Sequence, residues 1–100
     1  MLVRQDLPAS QQVVQACHAL VELMLHNRDD PGIGKWAQLD RTIVIVVVND
    51  ENDLTRWEAE LAARGVAHAH FCEPDLNNQM TAIAVHPSAD RRLFRNLRLL

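Results

Sequence analysis

Residues 2–20, LVRQDLPASQQVVQACHAL, carry a carboxylate, amides and an imidazole at spacings that suit one mouth. Asp6 stands at the end of an apolar run. Gln11, Gln15 and His18 follow at intervals of four and three, the spacing of one helix face. A strand end meeting a helix start is where open α/β sheets place their ligands. A second group lies further on: Asp75 and Asn78 in the loop Glu73–Asn78, and Thr81 just beyond it. Asp75 or His18 could take a proton from water, while Thr81, Asn78, Gln11 or Gln15 could donate hydrogen bonds to charge developing on oxygen. Arg91, Arg92, Arg95 and Arg98 recur near the end of the chain and could grip a phosphate backbone. Each group also has a plainer reading. Asp6 and Arg4 could form an internal ion pair, Asp75 after Pro74 could nucleate a turn, and Thr81 is a good strand residue. His18 could be a solvated helix residue, and the arginines suit a helix C-terminus.

Composition narrows the class. The chain has 100 residues, a formal charge of −3, 48% hydrophobic and 23% charged residues. That implies one globular domain spanning 1–100 with a single core, and it excludes a disordered or broadly basic chain. Cys17 and Cys72 give no disulfide framework and read as buried thiols in a reducing compartment. No apolar stretch approaches the ~20 residues of a membrane span. The start, MLVRQDL, lacks a signal-peptide layout. The expectation is a cytoplasmic, soluble protein. His68, His70 and Cys72 alternate on one strand face with His86 nearby, a weak metal signal that a half-exposed strand explains better. No metal site is assigned.

The elements that must position these residues read as follows. Leu2 to Leu7 is a strand ended by Pro8. Ser10 is the expected N-cap of a helix whose inward stripe is Val13, Cys17, Leu20, Val21 and Met24. Asp29-Asp30-Pro31-Gly32 stops it. The connector Gly32–Asp40 has room for a short helix around Trp36. Thr42–Val48 is unbroken β-branched sequence and reads as a central strand covered on both faces. Asn49-Asp50 caps a helix from about Asn52 to Arg64, with Leu54, Trp57 and Leu61 inward and Gly65 ending it. Val66–Cys72 and Met80–Val85 are strands, antiparallel because the loop between them is too short for a parallel crossover. Pro87-Ser88 starts a final helix reaching Leu100. The order β-α-(α)-β-α-β-β-α is a small three-layer α/β domain with a four-stranded mixed sheet flanked by helices.

This pattern resembles the type II peptidyl-tRNA hydrolase family. Arg4, Asp6 and Leu7 match its strand-one motif, and Gln15, His18 and Ala19 its helix-one motif. Trp36, the strand Ile43–Val48, and the acidic-capped segment Asn49–Gly65 match its middle. Thr81–Val85 followed by Pro87 resembles its T-x-x-x-x-x-P strand, and Leu97–Leu100 its L-K-L-L ending. The resemblance implies hydrolysis of the ester between a peptide and the 3′ ribose of tRNA, without metal or organic cofactor, by a homodimer. It implies Asp75 and Thr81 as catalytic groups, and the residues' own chemistry adds His18 as a further base. Asp6, Gln11, Gln15, Asn78, Arg91 and Arg95 would contact substrate. The family's lysine before helix one has no counterpart: the loop is Pro8-Ala9-Ser10-Gln11, two residues shorter, with Gln11 where the lysine would fall. Lys35 is the one lysine that could substitute. A non-catalytic relative that binds a tRNA end or a protein is the alternative the residues leave open.

Overall fold

A computed structural model describes residues 1–100. Strand β1 (Leu2–Arg4) leads into helix α1 (Ala9–His26), a short helix α2 (Pro31–Lys35), and one π-helical turn over Trp36–Asp40. Strand β2 (Val46–Val48), helix α3 (Glu51–Ala63), strand β3 (His68–Glu73), and strand β4 (Gln79–Val85) follow, and β5 (Arg98–Leu99) closes the chain. The sheet order is β3-β4-β1-β2-β5. β1 and β2 are parallel, joined by the α1 crossover, and every other pairing is antiparallel. The sheet therefore has five strands, one more than the sequence implies.

Alternation along the strands builds two cores. Val3, Val47, Ala82, Ala84 and Ala69 face α1, where they meet Ala16, Ala19 and Leu23. Leu2, Val46, Val48 and Ile83 face α3, where they meet Leu54 and Leu61. The α1 side is built largely of alanine on both partners, so the helix axis approaches the sheet closely. This decides which face of α1 turns inward. Gln12, Gln15, Ala16, Ala19 and Leu23 are buried, whereas Val13, Val14, Val21, Met24 and Leu25 are exposed. The expected inward stripe is thus the outward one, and Cys17 is exposed rather than buried. Hydrophobicity alone points the larger apolar side chains inward; contact with an alanine-lined sheet instead buries Ala16 and Ala19, with Gln12, Gln15 and Leu23 completing the face.

Other departures have local causes. Pro8, not Ser10, occupies the N-cap of α1, its carbonyl accepting from Gln12 N at 3.0 Å. Gln12 Nε2 donates to Leu7 O at 2.6 Å and fixes the entry of the chain. β2 begins only at Val46, and Ile43 and Val44 are exposed, because β1 starts at Leu2 and leaves the preceding residues without a strand partner. The expected last helix is absent. The Asp90 side chain caps a single 3₁₀ turn, Arg91–Phe94, and the chain then pairs with β2 in the register Val46↔Leu99 and Val47↔Arg98. Phe94 and Leu97 still pack on the α3-side core. Their spacing satisfies a helical period, but the open edge of β2 takes the backbone. Asp50 caps α3 through Asp53 N at 3.0 Å, and Gly65 follows it at φ 68°, where an L side chain is strained. No helix is long and apolar enough to cross a membrane.

Candidate functional site

A buried polar chain runs from β4 through α1 to the end of β3. The Thr81 hydroxyl donates to Gln15 Oε1 at 2.6 Å, and Gln15 Nε2 donates to Glu73 Oε1 at 3.3 Å. Thr81 and Gln15 are both fully buried. Strict alternation would turn Thr81 with Ile83 toward α3. A β-bulge intervenes: Phe71 pairs with Ala82 but Cys72 pairs with Met80, leaving Thr81 as the extra residue. Bulges re-aim side chains in this way beside functional sites. Gln15, one of only two large polar side chains on the inward face of α1, then meets the Thr81 hydroxyl in place of packing against alanine.

Glu73 was not selected by the sequence reading, which placed the useful carboxylate at Asp75. The signal was available, because Ala69 and Phe71 face α1 and one further step of alternation brings Glu73 to the same side. Asp75 lies on the exposed turn Pro74–Leu76. Asn77 and Asn78 follow with φ 55° and 59°, in the left-handed region that asparagine tolerates. Asn78 N donates to Glu73 O at 2.9 Å, closing the loop and leaving its side chain exposed. Gln11 is exposed at the start of α1. His18, one turn beyond Gln15, is exposed and stacks on Phe71 with ring centroids 4.6 Å apart. The structure thus gathers His18, Gln15, Glu73 and Thr81 along the α1–β3–β4 seam.

Asp6 is engaged elsewhere. Arg4 Nε and an Nη reach its two carboxylate oxygens at 2.9 and 2.8 Å, and the other Nη reaches Gln79 Oε1 and Met80 O. The guanidinium hydrogen bond holds the Asp6 carboxyl below the ordinary aspartate value. The same bond raises the Arg4 pKa further. This buried arginine ties β1 to the start of β4, and Glu51 ties the same point to α3 by accepting from Met80 N at 2.7 Å.

The remaining candidates lie away from this seam. Arg91 and Arg95 line a hollow with Met1, Val44 and Leu99 at the opposite end of the strands. Along β4, that separation corresponds to roughly 14 Å. They do not share a helix face with Arg98, whose guanidinium reaches Gln5 Oε1 at 2.7 Å. Lys35 ends α2, which Asp30 anchors to His86 beyond the far end of β4, so it does not reach the seam. The Trp36 indole donates to Thr42 O, which keeps the connector at that far end too. On β3, His70 Nδ1 meets Glu58 and His68 Nδ1 meets Val66 O. No group of three His, Cys, Asp or Glu residues converges to hold a metal.

Compared with known proteins, residues 1–100 match one family model, described as peptidyl-tRNA hydrolase PTH2. No curated protein matches the chain.

Proposed function

The chain belongs to the peptidyl-tRNA hydrolase PTH2 family, and from that premise we propose that it hydrolyses the ester joining a peptide to the 3′ ribose of tRNA at the Thr81–Gln15–Glu73 seam. The observation that carries this reading is the buried hydrogen-bond chain ending on a half-buried carboxylate. Glu73 takes a proton from water, the water oxygen attacks the ester carbonyl, and the departing 3′ oxygen takes that proton back. Gln15 positions Glu73 and is itself oriented by Thr81, so Thr81 is a positioning residue. The exposed amides of Gln11 and Asn78 stand at the rim as donors to the developing oxyanion. His18 and Asp75 are second proton-handling groups at the same rim, and Asp6 acts through Arg4. Arg91 and Arg95, which enter no ion pair, contact the tRNA backbone at a distance from the ester. No metal or organic cofactor is required by this route. The family's homodimer and a cytoplasmic location belong to the same proposal; the outward apolar face of α1 supports the former.

A second reading has one observation in its favour. The seam holds no free cation: Gln11 stands in place of the family's lysine, Arg4 is taken by Asp6, and Lys35 is remote. A relative that binds a tRNA end or a protein without turnover fits that fact. The deciding experiment is release of free tRNA from N-acetyl-aminoacyl-tRNA by wild type, Glu73→Gln and Asp75→Ala. Turnover lost in Glu73→Gln supports the proposed base, and turnover lost only in Asp75→Ala moves that role to Asp75. Absence of turnover in folded wild type favours the binding module.

A further inference from the structure

A separate constellation lies at the far end of β4. His86 is buried, and its ring is held at both nitrogens. Nε2 lies 3.0 Å from Asp30 Oδ1, and Nδ1 lies 2.7 Å from Ser88 Oγ. An ionised carboxylate only accepts, so Nε2 carries the proton and Nδ1 accepts from the Ser88 hydroxyl. The Ser88 N–H also points at Nδ1, at 3.1 Å, and sets the turn. A local turn would explain the serine contact alone. It does not explain the carboxylate, which comes from a residue 56 positions away and is itself fixed by Gly32 N at 2.8 Å and Ile33 N at 3.1 Å. Nor does it explain Gly32, where an added Cβ would stand 2.8 Å from His86 Cε1. Only glycine there admits the ring in this position. The hydrogen bond from His86 holds the Asp30 carboxyl below its ordinary value, so it stays charged.

This set opens onto a broad cleft of about 880 Å³ that Asp30, His86, Ser88, Arg64, Arg92 and Arg95 help to line. Ser88 is exposed to it. Arg64 is paired with Glu60 and Arg92 with Asp90, but Arg95 has no ion-pair partner. We propose that Ser88 is a nucleophile activated by His86 and Asp30, forming a second acyl-transfer site for small esters that carry an anionic group. The roles are those of a serine–histidine–aspartate triad with the two imidazole nitrogens exchanged; such sites are recognised by roles and geometry. Ser88 Oγ bonds to the ester carbonyl carbon as its proton passes to His86 Nδ1. Asp30 stabilises the imidazolium through Nε2–H. The ester C–O bond then breaks, the alkoxide takes the proton from His86, and water releases the acyl group by the reverse sequence. Arg95 supplies the positive charge for the anionic substituent.

The test is labelling of the full chain with a fluorophosphonate, mapped by peptide mass, together with hydrolysis of 4-nitrophenyl acetate and mono-4-nitrophenyl succinate. The expected adduct is on Ser88, with loss of fluoride. Ser88→Ala abolishes it. His86→Gln and Gly32→Ala slow labelling by about 100-fold, with folding checked by circular dichroism. Arg95→Ala lowers the rate on the succinate more than on the acetate. Glu73→Gln leaves labelling unchanged, which separates this site from the seam. An unlabelled Ser88 in folded wild type overturns the proposal, and so does a labelling rate indifferent to both His86→Gln and Gly32→Ala.

Discussion

At the scale of single residues, the seam depends on a hydroxyl that a bulge turns toward α1. Replacing Thr81 by valine keeps the shape but leaves the buried Gln15 Oε1 without its donor at 2.6 Å. An unsatisfied buried acceptor costs about 1–3 kcal/mol. Thr81→Val should therefore lower the unfolding free energy measured in urea by that amount and release Gln15 from its orientation toward Glu73, while Thr81→Ser retains the donor and most of the stability. Equal loss in both variants would mean that the methyl group, not the hydroxyl, matters. The types of these residues were legible in the sequence, but their pairing was not. Gln15 was a candidate from its helical spacing and Thr81 from the family resemblance, yet a one-residue register shift between Phe71 and Cys72 has no sequence signature strong enough to reveal that they meet. Glu73 was missed because a glutamate before Pro74 reads as the start of a loop, although it completes the face begun by Ala69 and Phe71.

Among the elements, the junction of β1 with β4 rests on a buried arginine and a carboxylate that is partly open to water. Asp6 has a depressed folded pKa, so its contribution is present above the unfolded value of about 4 and is lost as pH falls through the lower folded value. Asp6→Asn should accordingly destabilise at neutral pH by about 1 kcal/mol, allowing for solvent screening of the half-exposed carboxylate. The difference from wild type should hold from pH 5 to 8 and shrink only below about pH 4. Urea titrations across that range check it, and a difference that grows toward acid would contradict the assignment. Elements with strong local rules were readable: Asp50 and Gly65 bracket α3 as expected. The final segment was not, because Leu93, Phe94 and Leu97 satisfy a helical period while the free edge of β2 offers hydrogen bonds that only a strand can use. Sequence pattern records which residues are apolar, and here that pattern fits either conformation.

For the whole molecule, the outward face of α1 is the surface through which the proposed homodimer would form. Val13, Val14, Val21, Met24 and Leu25 are 46, 44, 54, 38 and 47% exposed on one helix. Val13, Cys17, Leu20 and Met24 step by four, three and four, the seam spacing of paired helices. With 18 residues, the helix offers a stripe about 27 Å long. A contiguous apolar strip of this kind is costly to leave in water and marks an association surface. The same close packing of alanines that hides Gln15 against the sheet leaves these larger residues outside. Dimerisation through α1 would leave Gln15 covered by the sheet, but Val14, Val21 and Leu25 stand four before, three after and seven after His18 on one helix line, so the interface would border the His18 rim of the seam. Wild type should then show twice the chain mass of 11.3 kDa by light scattering. The double substitution Val21→Glu and Leu25→Glu should return it to monomer, because an unpaired carboxylate in an apolar interface is strongly disfavoured. Thermal unfolding of the monomeric variant should lose its dependence on protein concentration, which only an associating chain displays. Wild type that runs as a monomer at all concentrations would rule out the interface. A dimer unaffected by the two charges would place it elsewhere, with the open edges of β3 and β5 the next surfaces to substitute.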